Sequence, residues 1–237
     1  MRDIIAAGLK ELGLSQQVPP EAPELLEAYG RALLEKNQVM NLTAITQPDQ
    51  VARLHMLDCA ALLRCARFEG KTLLDVGTGA GFPGLPLKIL CPTLEVTLLD
   101  SLGKRIHWLR EVSDQLGLSG VTTLHARSEE QALVKGFRDS FDVVTARAVA
   151  DLRLLAELCL PFVKVGGLFL AMKSVDCGPE VESAAHAVKL LGGRVRDQVD
   201  YPIPGTEITH RVVVIEKVAP TLKGYPRRWA KIQKEPL

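Results

Sequence analysis

The chain lacks the marks of several protein classes. No apolar run approaches the about 20 residues that a membrane helix needs, and the N-terminal MRDIIAAGLKELGLS carries acidic residues without a secretory cleavage pattern. A cytoplasmic protein with no membrane partner is expected. The five cysteines, Cys59, Cys65, Cys91, Cys159 and Cys177, are odd in number and share no Cys-x-x-Cys spacing. That argues against a disulfide framework and a zinc site, so no metal is expected. They are read as small buried hydrophobes. An excess of one charge is missing too: 29 Lys and Arg stand against 28 Asp and Glu, a net +1. Affinity for nucleic acid grows with the number of cations that displace counterions from phosphates. A strong, promiscuous nucleic-acid binder is therefore disfavoured and DNA is not an expected partner, while a local basic patch remains allowed.

What is present is enough apolar residue, 47% of 237, for one large domain with an appended segment. The first part reads as helices. PPEAPELLEAYGRALLEKN puts Leu25, Leu26, Tyr29, Leu33 and Leu34 on one face, and DQVARLHMLDCAALLRCARF carries a similar stripe after the breaker Pro48. Single apolar faces must be covered, so residues 1–67 are expected to be a helical cap without independent stability.

From Thr72 the pattern changes to short β-rich runs alternating with helices, the mark of a parallel sheet covered on both faces. TLLDVG, EVTLLD, VTTLHA, FDVVTAR and GGLFLAMK are the expected strands, with helices beginning near Pro83, Gly103, Ser128, Asp151 and Gly178. VRDQVDYPIP and THRVVVIEKV follow with only turn residues between them, so they should form an antiparallel edge pair. Residues 68–219 thus read as an α/β domain of five parallel strands plus an antiparallel edge hairpin, the plan of the class I (Rossmann-like) methyltransferase sheet. Residues 220–237 read as a basic tail.

Within DVGTGAGFPG, Gly77 and Gly79 fill two of the three glycine places of the dinucleotide fingerprint, but Phe82 occupies the third. The run instead matches an acidic-x-Gly-x-Gly-x-Gly turn, from Asp75 to Gly81, as in S-adenosylmethionine enzymes. That cofactor has no pyrophosphate, so the sixth-place glycine is dispensable, and alternate glycines let backbone lie flat against it. Pro83 suits a first helical turn. Asp100 lies about 20 residues beyond the turn, where an acid reaches ribose hydroxyls. At the end of the third strand, Ser128 and Glu129 face the adenine or merely cap a helix.

The acceptor is narrowed by further absences. No Asn or Asp followed by Pro-Pro and an aromatic, the device for exocyclic amines, occurs. A cysteine nucleophile for pyrimidine carbon-5 is also wanting, because Cys159 falls inside a helix. An acceptor that is already nucleophilic survives, such as guanine N7 or a small molecule, and positioning is then the main catalytic task.

NLTAIT, RLHMLDCAAL, LLDVGTGAGFPGLPLKI, LLDSLGKRIHWL, RSEE, TARAVADL and LPFVKVGGLFLAMK, in this order and spacing, resemble the RsmG family, formerly called glucose-inhibited division protein B. The closing YPRR and KEPL resemble that family's tail, although RRWAKIQ replaces its usual Gly-Thr-Pro insert. The resemblance implies methyl transfer from S-adenosylmethionine to N7 of a guanine in 16S ribosomal RNA of the small-subunit decoding region. It points for the cofactor to Gly77, Phe82, Asp100, Ser101, Leu102, Ser128, Glu129 and Arg147, to which the reading of the glycine turn adds Asp75 and Gly79. Arg147 is expected to position substrates through the methionine carboxylate or an RNA phosphate, with Phe82 packed against the cofactor. His55 and Asp58 would border the pocket. Lys173, Arg227 and Arg228 are expected on RNA, the last two within a tail of mixed basic and aromatic residues, and a monomer suffices. The alternatives are a methyltransferase of a small molecule or protein, a nicotinamide dehydrogenase, and a nucleotide-sensing protein without turnover.

Overall fold

The computed structural model describes residues 1–237. Strands rich in Val and Leu become the centre of the molecule because they are covered on both faces. They are β1 (Thr72–Val76), β2 (Glu95–Asp100), β3 (Val121–His125), β4 (Phe141–Arg147) and β5 (Val163–Ser174), all parallel, followed by β6 (Gly193–Pro202) and β7 (Thr209–Lys217). The sheet order is β3-β2-β1-β4-β5-β7-β6, with β7 antiparallel to both β5 and β6. The expected edge hairpin is present. Its second strand lies inside, and the outer β6 carries Arg194, Arg196 and Asp197 with a bulge between Val195 and Asp197, features that blunt an open edge. β5 begins three residues before the expected Gly166. Its register against β4 shifts at Phe141/Val143, where a side chain on Gly167 would come within 2.7 Å of the Asp142 carbonyl.

The order reverses between β1 and β4, and a crevice opens at the carboxyl ends of the strands there. Helices α5 (Gly84–Leu90), α6 (Gly103–Gln115), α7 (Ser128–Gln131), α8 (Leu152–Cys159) and α9 (Gly178–Leu190) start where the breakers and caps predicted. Pro83 is the residue before α5 and not its first. Asp151 caps α8 by accepting the Arg153 amide.

Ahead of the sheet lie α1 (Arg2–Glu11), α2 (Ala22–Met40) and a helical rod from Pro48 to Arg64. The rod is not regular: α3 (Pro48–Val51) passes into a π-helical stretch, Ala52–Leu57, before α4 (Asp58–Ala60) and a 3-10 turn. Such wide turns re-aim side chains and recur at functional sites. These helices share one core with a face of the sheet, in which Leu26, Tyr29 and Met56 join Leu73, Leu98 and Val212. The opposite face packs against α8 and α9. All five cysteines are free and buried.

The tail is folded onto that second layer. Ile232 of α10 (Trp229–Lys234) is fully buried, and Arg138 donates to the carbonyls of Thr221, Leu222 and Tyr225. Arg227 corrects an expectation. Its backbone amide and guanidinium embrace the buried carboxylate of Glu157 at 2.8 and 2.6 Å, so it is turned into the fold and not toward a partner. Arg228 beside it is exposed.

Candidate cofactor and acceptor pockets

Gly77, Gly79 and Gly81 all have left-handed backbone, with φ of 66°, 59° and 92°. Only glycine adopts this without strain, so the turn from β1 to α5 is fixed by residue type. Asp75 organises the turn from beneath. It is fully buried and accepts from the Thr78 hydroxyl at 2.6 Å, the Gly84 amide at 2.9 Å and the Thr145 hydroxyl at 3.3 Å. Burial pushes its carboxyl up to about 6 against the pull of those donors. The expectation that Asp75 lines the cofactor is thereby corrected. Its oxygens are spent inside the loop.

Asp100, at the end of β2, accepts from the Gly79 amide at 2.9 Å, the Leu102 amide at 2.8 Å and Arg105 at 3.4 Å. One carboxylate therefore ties the second strand to the glycine turn. Between them lies a cavity of about 160 Å³, lined by Gly77, Ser101, Ser128, Glu129 and the aliphatic side chains of Val76 and Leu99. The Ser128 hydroxyl donates to the Leu158 carbonyl at 2.6 Å, which fixes the start of α7 against α8. A Cβ placed on Gly79 meets nothing closer than the Gly77 carbonyl at 3.9 Å, whereas one on Gly77 would strike Val149 at 2.9 Å. The turn thus leaves open space over Gly79 that a side chain would fill, while Val149 covers Gly77. These features fit a nucleoside-bearing cofactor. Trp229 also lines the cavity and was not singled out for it from sequence, because only the folding back of the tail brings it there.

Phe82 stacks on His55 with ring centroids 4.5 Å apart, packs on Tyr29 at 5.4 Å, and lies under the Arg147 guanidinium at 4.7 Å. It joins the glycine loop to the helical cap and to Arg147.

Arg147, ending β4, stands beside a second cavity of about 460 Å³, lined also by His55, Asp58, Met172, Lys173 and His210. Here the polar groups are bound to one another. Asp58 accepts from the Tyr201 hydroxyl at 2.7 Å, His210 Nδ1 at 2.8 Å and Arg147 at 3.2 Å. Arg147 also reaches His55 Nδ1 at 3.1 Å, and Thr43 meets His55 Nε2 at 2.8 Å. Burial pushes Asp58 up, but the His210 hydrogen bond and the Arg147 charge win and hold it below the usual carboxylate range. His210 is raised by its bond to Asp58. Burial first, then Arg147, lowers His55 to about 4, so it is neutral near pH 7. His55 accepts from Arg147 through Nδ1, which places its proton on Nε2 facing Thr43.

Sequence alone put His55, Asp58 and Arg147 near one another but gave no sign of Thr43, Tyr201 or His210. His210 arrives because β7 is antiparallel to β5 and pairs it with Ser174. Lys173 lines the same cavity, yet its ammonium donates to the Ala150 carbonyl at 2.7 Å and pairs with Glu180. It pins the loop after β4 and is not a free cation for RNA.

The chain is similar to known proteins over nearly its whole length. A family model described as rRNA small subunit methyltransferase G matches residues 22–201. The protein named ribosomal RNA small subunit methyltransferase G from Lachnoclostridium phytofermentans is 46% identical over 231 residues, 97% of this chain and 95% of that one. Its namesake from Alkaliphilus metalliredigens is 43% identical, covering 99% and 98%. Among solved structures, a mutant of MtNAS in complex with S-adenosylmethionine superposes with a TM-score of 0.56 at 15% identity, over 83% of this chain and 73% of that one. TYW2 of M. jannaschii in complex with the same cofactor gives 0.54 at 15%, over 69% and 76%. The fold is that of the class I methyltransferases, and the chain belongs to the rRNA small subunit methyltransferase G family.

Proposed function

We propose that the protein transfers a methyl group from S-adenosylmethionine to N7 of a guanine in 16S ribosomal RNA. The observation that carries the reading is a pair of cavities lined by neighbouring residues at the end of β4 and in the loop after it: Val149 in the one bordered by Gly77, and both Arg147 and Ala148 in the one bordered by His55 and Asp58. The bound cofactor supplies an electrophilic methyl on a sulfonium.

Guanine N7 offers an in-plane lone pair and no proton, so accepting a methyl from the cofactor's sulfonium would need no base from the protein. The remaining task is alignment. Gly77 and Gly79 would hold the cofactor's backbone-facing side and Ser101, Ser128 and Glu129 would border its nucleoside, while the Asp100 carboxylate, accepting from the Leu102 amide, fixes the end of the second strand. Arg147, locked over Phe82 by Asp58 and His55, positions the acceptor and spends none of its orientation freedom at the moment of transfer. The neutral His55 adds no second positive charge where the methylated ring becomes cationic.

The small ribosomal subunit or its RNA is the proposed partner, met by the cap side and by exposed tail cations such as Arg228. We place the reaction in the cytoplasm and assign it to a monomer. Labelled S-adenosylmethionine offered in parallel with intact small subunits, free 16S RNA and a metabolite extract tests the reading. Label in the RNA of subunits or in free RNA supports it; label confined to metabolites overturns it.

A further inference from the structure

The cofactor cavity has an aromatic wall that no strand supplies. Val76, Leu99, Ala126 and Leu158 are aliphatic, and the only ring lining the space belongs to Trp229. Trp229 also borders a neighbouring cavity of about 330 Å³ with Leu133 and Arg228, and it lies between the two together with Arg127 and Glu129, which line both. It is held in place from both sides. Two residues before it the Arg227–Glu157 pair is closed, and three residues after it Ile232 is fully buried.

The part of the cavity at the end of β3, where Ala126 and Ser128 line it together with Trp229, is where the base of an adenosine would lie. A flat π-system there gains most from a second flat π-system, and an aliphatic pocket offers none. We infer that Trp229 stacks on the adenine of the cofactor, which makes the C-terminal segment a working part of the cofactor site. The inference rests on the methyltransferase reading above and adds a residue to it.

The test is titration of S-adenosylhomocysteine and of adenosine into the full-length protein and its W229F and W229L variants, by calorimetry and tryptophan fluorescence. The chain has two tryptophans, and the other, Trp108, is buried beside Tyr29. Stacking predicts that ligand changes the wild-type emission and leaves that of W229F unchanged. W229L should bind both ligands on the order of tenfold more weakly, with W229F closer to wild type. KM for S-adenosylmethionine should rise while KM for RNA holds.

Unchanged emission together with wild-type affinity in W229L overturns the inference and leaves the methyltransferase reading standing. A rise in KM for RNA alone also overturns it, since the indole would then serve RNA. A wild-type protein that binds neither ligand sinks the underlying reading instead. Should W229L fail to fold, the affinity and emission of W229F decide: retained affinity with a silent Trp108 supports stacking, and a ligand response from Trp108 contradicts it.

Discussion

The two cavities on either side of the loop after β4 are built by opposite means. On the cofactor side, backbone does the shaping: three left-handed glycines within five residues, held from below by one buried carboxylate and from the side by another. On the acceptor side, side chains from four separate stretches, around residues 43, 55–58, 147 and 201–210, converge on a buried network of charges. A backbone cradle tolerates change that keeps its glycines. A buried charge network tolerates little, because each member leaves another unpaired when removed.

The largest effect should therefore come from the acceptor side. Asp58→Ala strands Arg147 in a buried place and is expected to cost about 3–5 kcal/mol of folding stability, the usual penalty for breaking a buried pair. Denaturant unfolding measures it; a loss below about 1 kcal/mol would show that Arg147 reaches water when unpaired.

Next comes a pH effect at His55. Its folded value of about 4 lies below the unfolded value of 6.5, so the unfolded chain binds the extra proton between them. Stability from this residue is full above pH 6.5 and is lost as pH falls toward 4, by up to about 3 kcal/mol. Asp58, also held low, loses stability in the same direction at more acidic pH. His210, held high, acts oppositely: its contribution is present below pH 6.5 and is lost as pH rises through its folded value. Comparing wild type with His55→Gln isolates the first effect, and parallel pH profiles of the two would contradict it.

On the cofactor side, function should fail before folding. Gly79→Leu puts a side chain into the open cradle at a left-handed φ. Strain of about 1–2 kcal/mol leaves the sheet folded, while S-adenosylhomocysteine affinity should fall on the order of 100-fold. Retained binding in calorimetry would mean that the cradle is not the cofactor's. The smallest effect separates two neighbours in the tail. Arg228→Ala should leave melting unchanged and reduce the slope of log affinity for RNA against log salt by about 1. Arg227→Ala should instead lower the melting temperature by opening the buried Glu157 pair. Identical behaviour of the two would erase the distinction between a folded and an exposed arginine.

The same contrast explains what could be read from the chain. Strand positions, helix starts and the glycine turn are local: alternation, breakers and caps lie within a few residues of what they determine. The roles of charged residues are not. Arg227 looks free in a tail with a single nearby acid, but its partner Glu157 lies 70 residues away on α8. Lys173 similarly looks poised at a strand end until α9 brings Glu180 to it. Phe82 reads as a cofactor residue from its place in the motif. The π-helical stretch, which leaves no trace in the apolar periodicity, sets His55 against it. Tyr201, His210 and Trp229 become site residues only through the sheet order and the return of the tail.

The central claim is that the glycine cradle and the Arg147 cavity together align a methyl group with a guanine ring nitrogen. Mass mapping of 16S RNA from small subunits incubated with the protein and S-adenosylmethionine tests it most directly. One added methyl on a single guanosine, with strand scission there after reduction and aniline treatment, is the predicted result. A methyl on another base or on a ribose hydroxyl would contradict it.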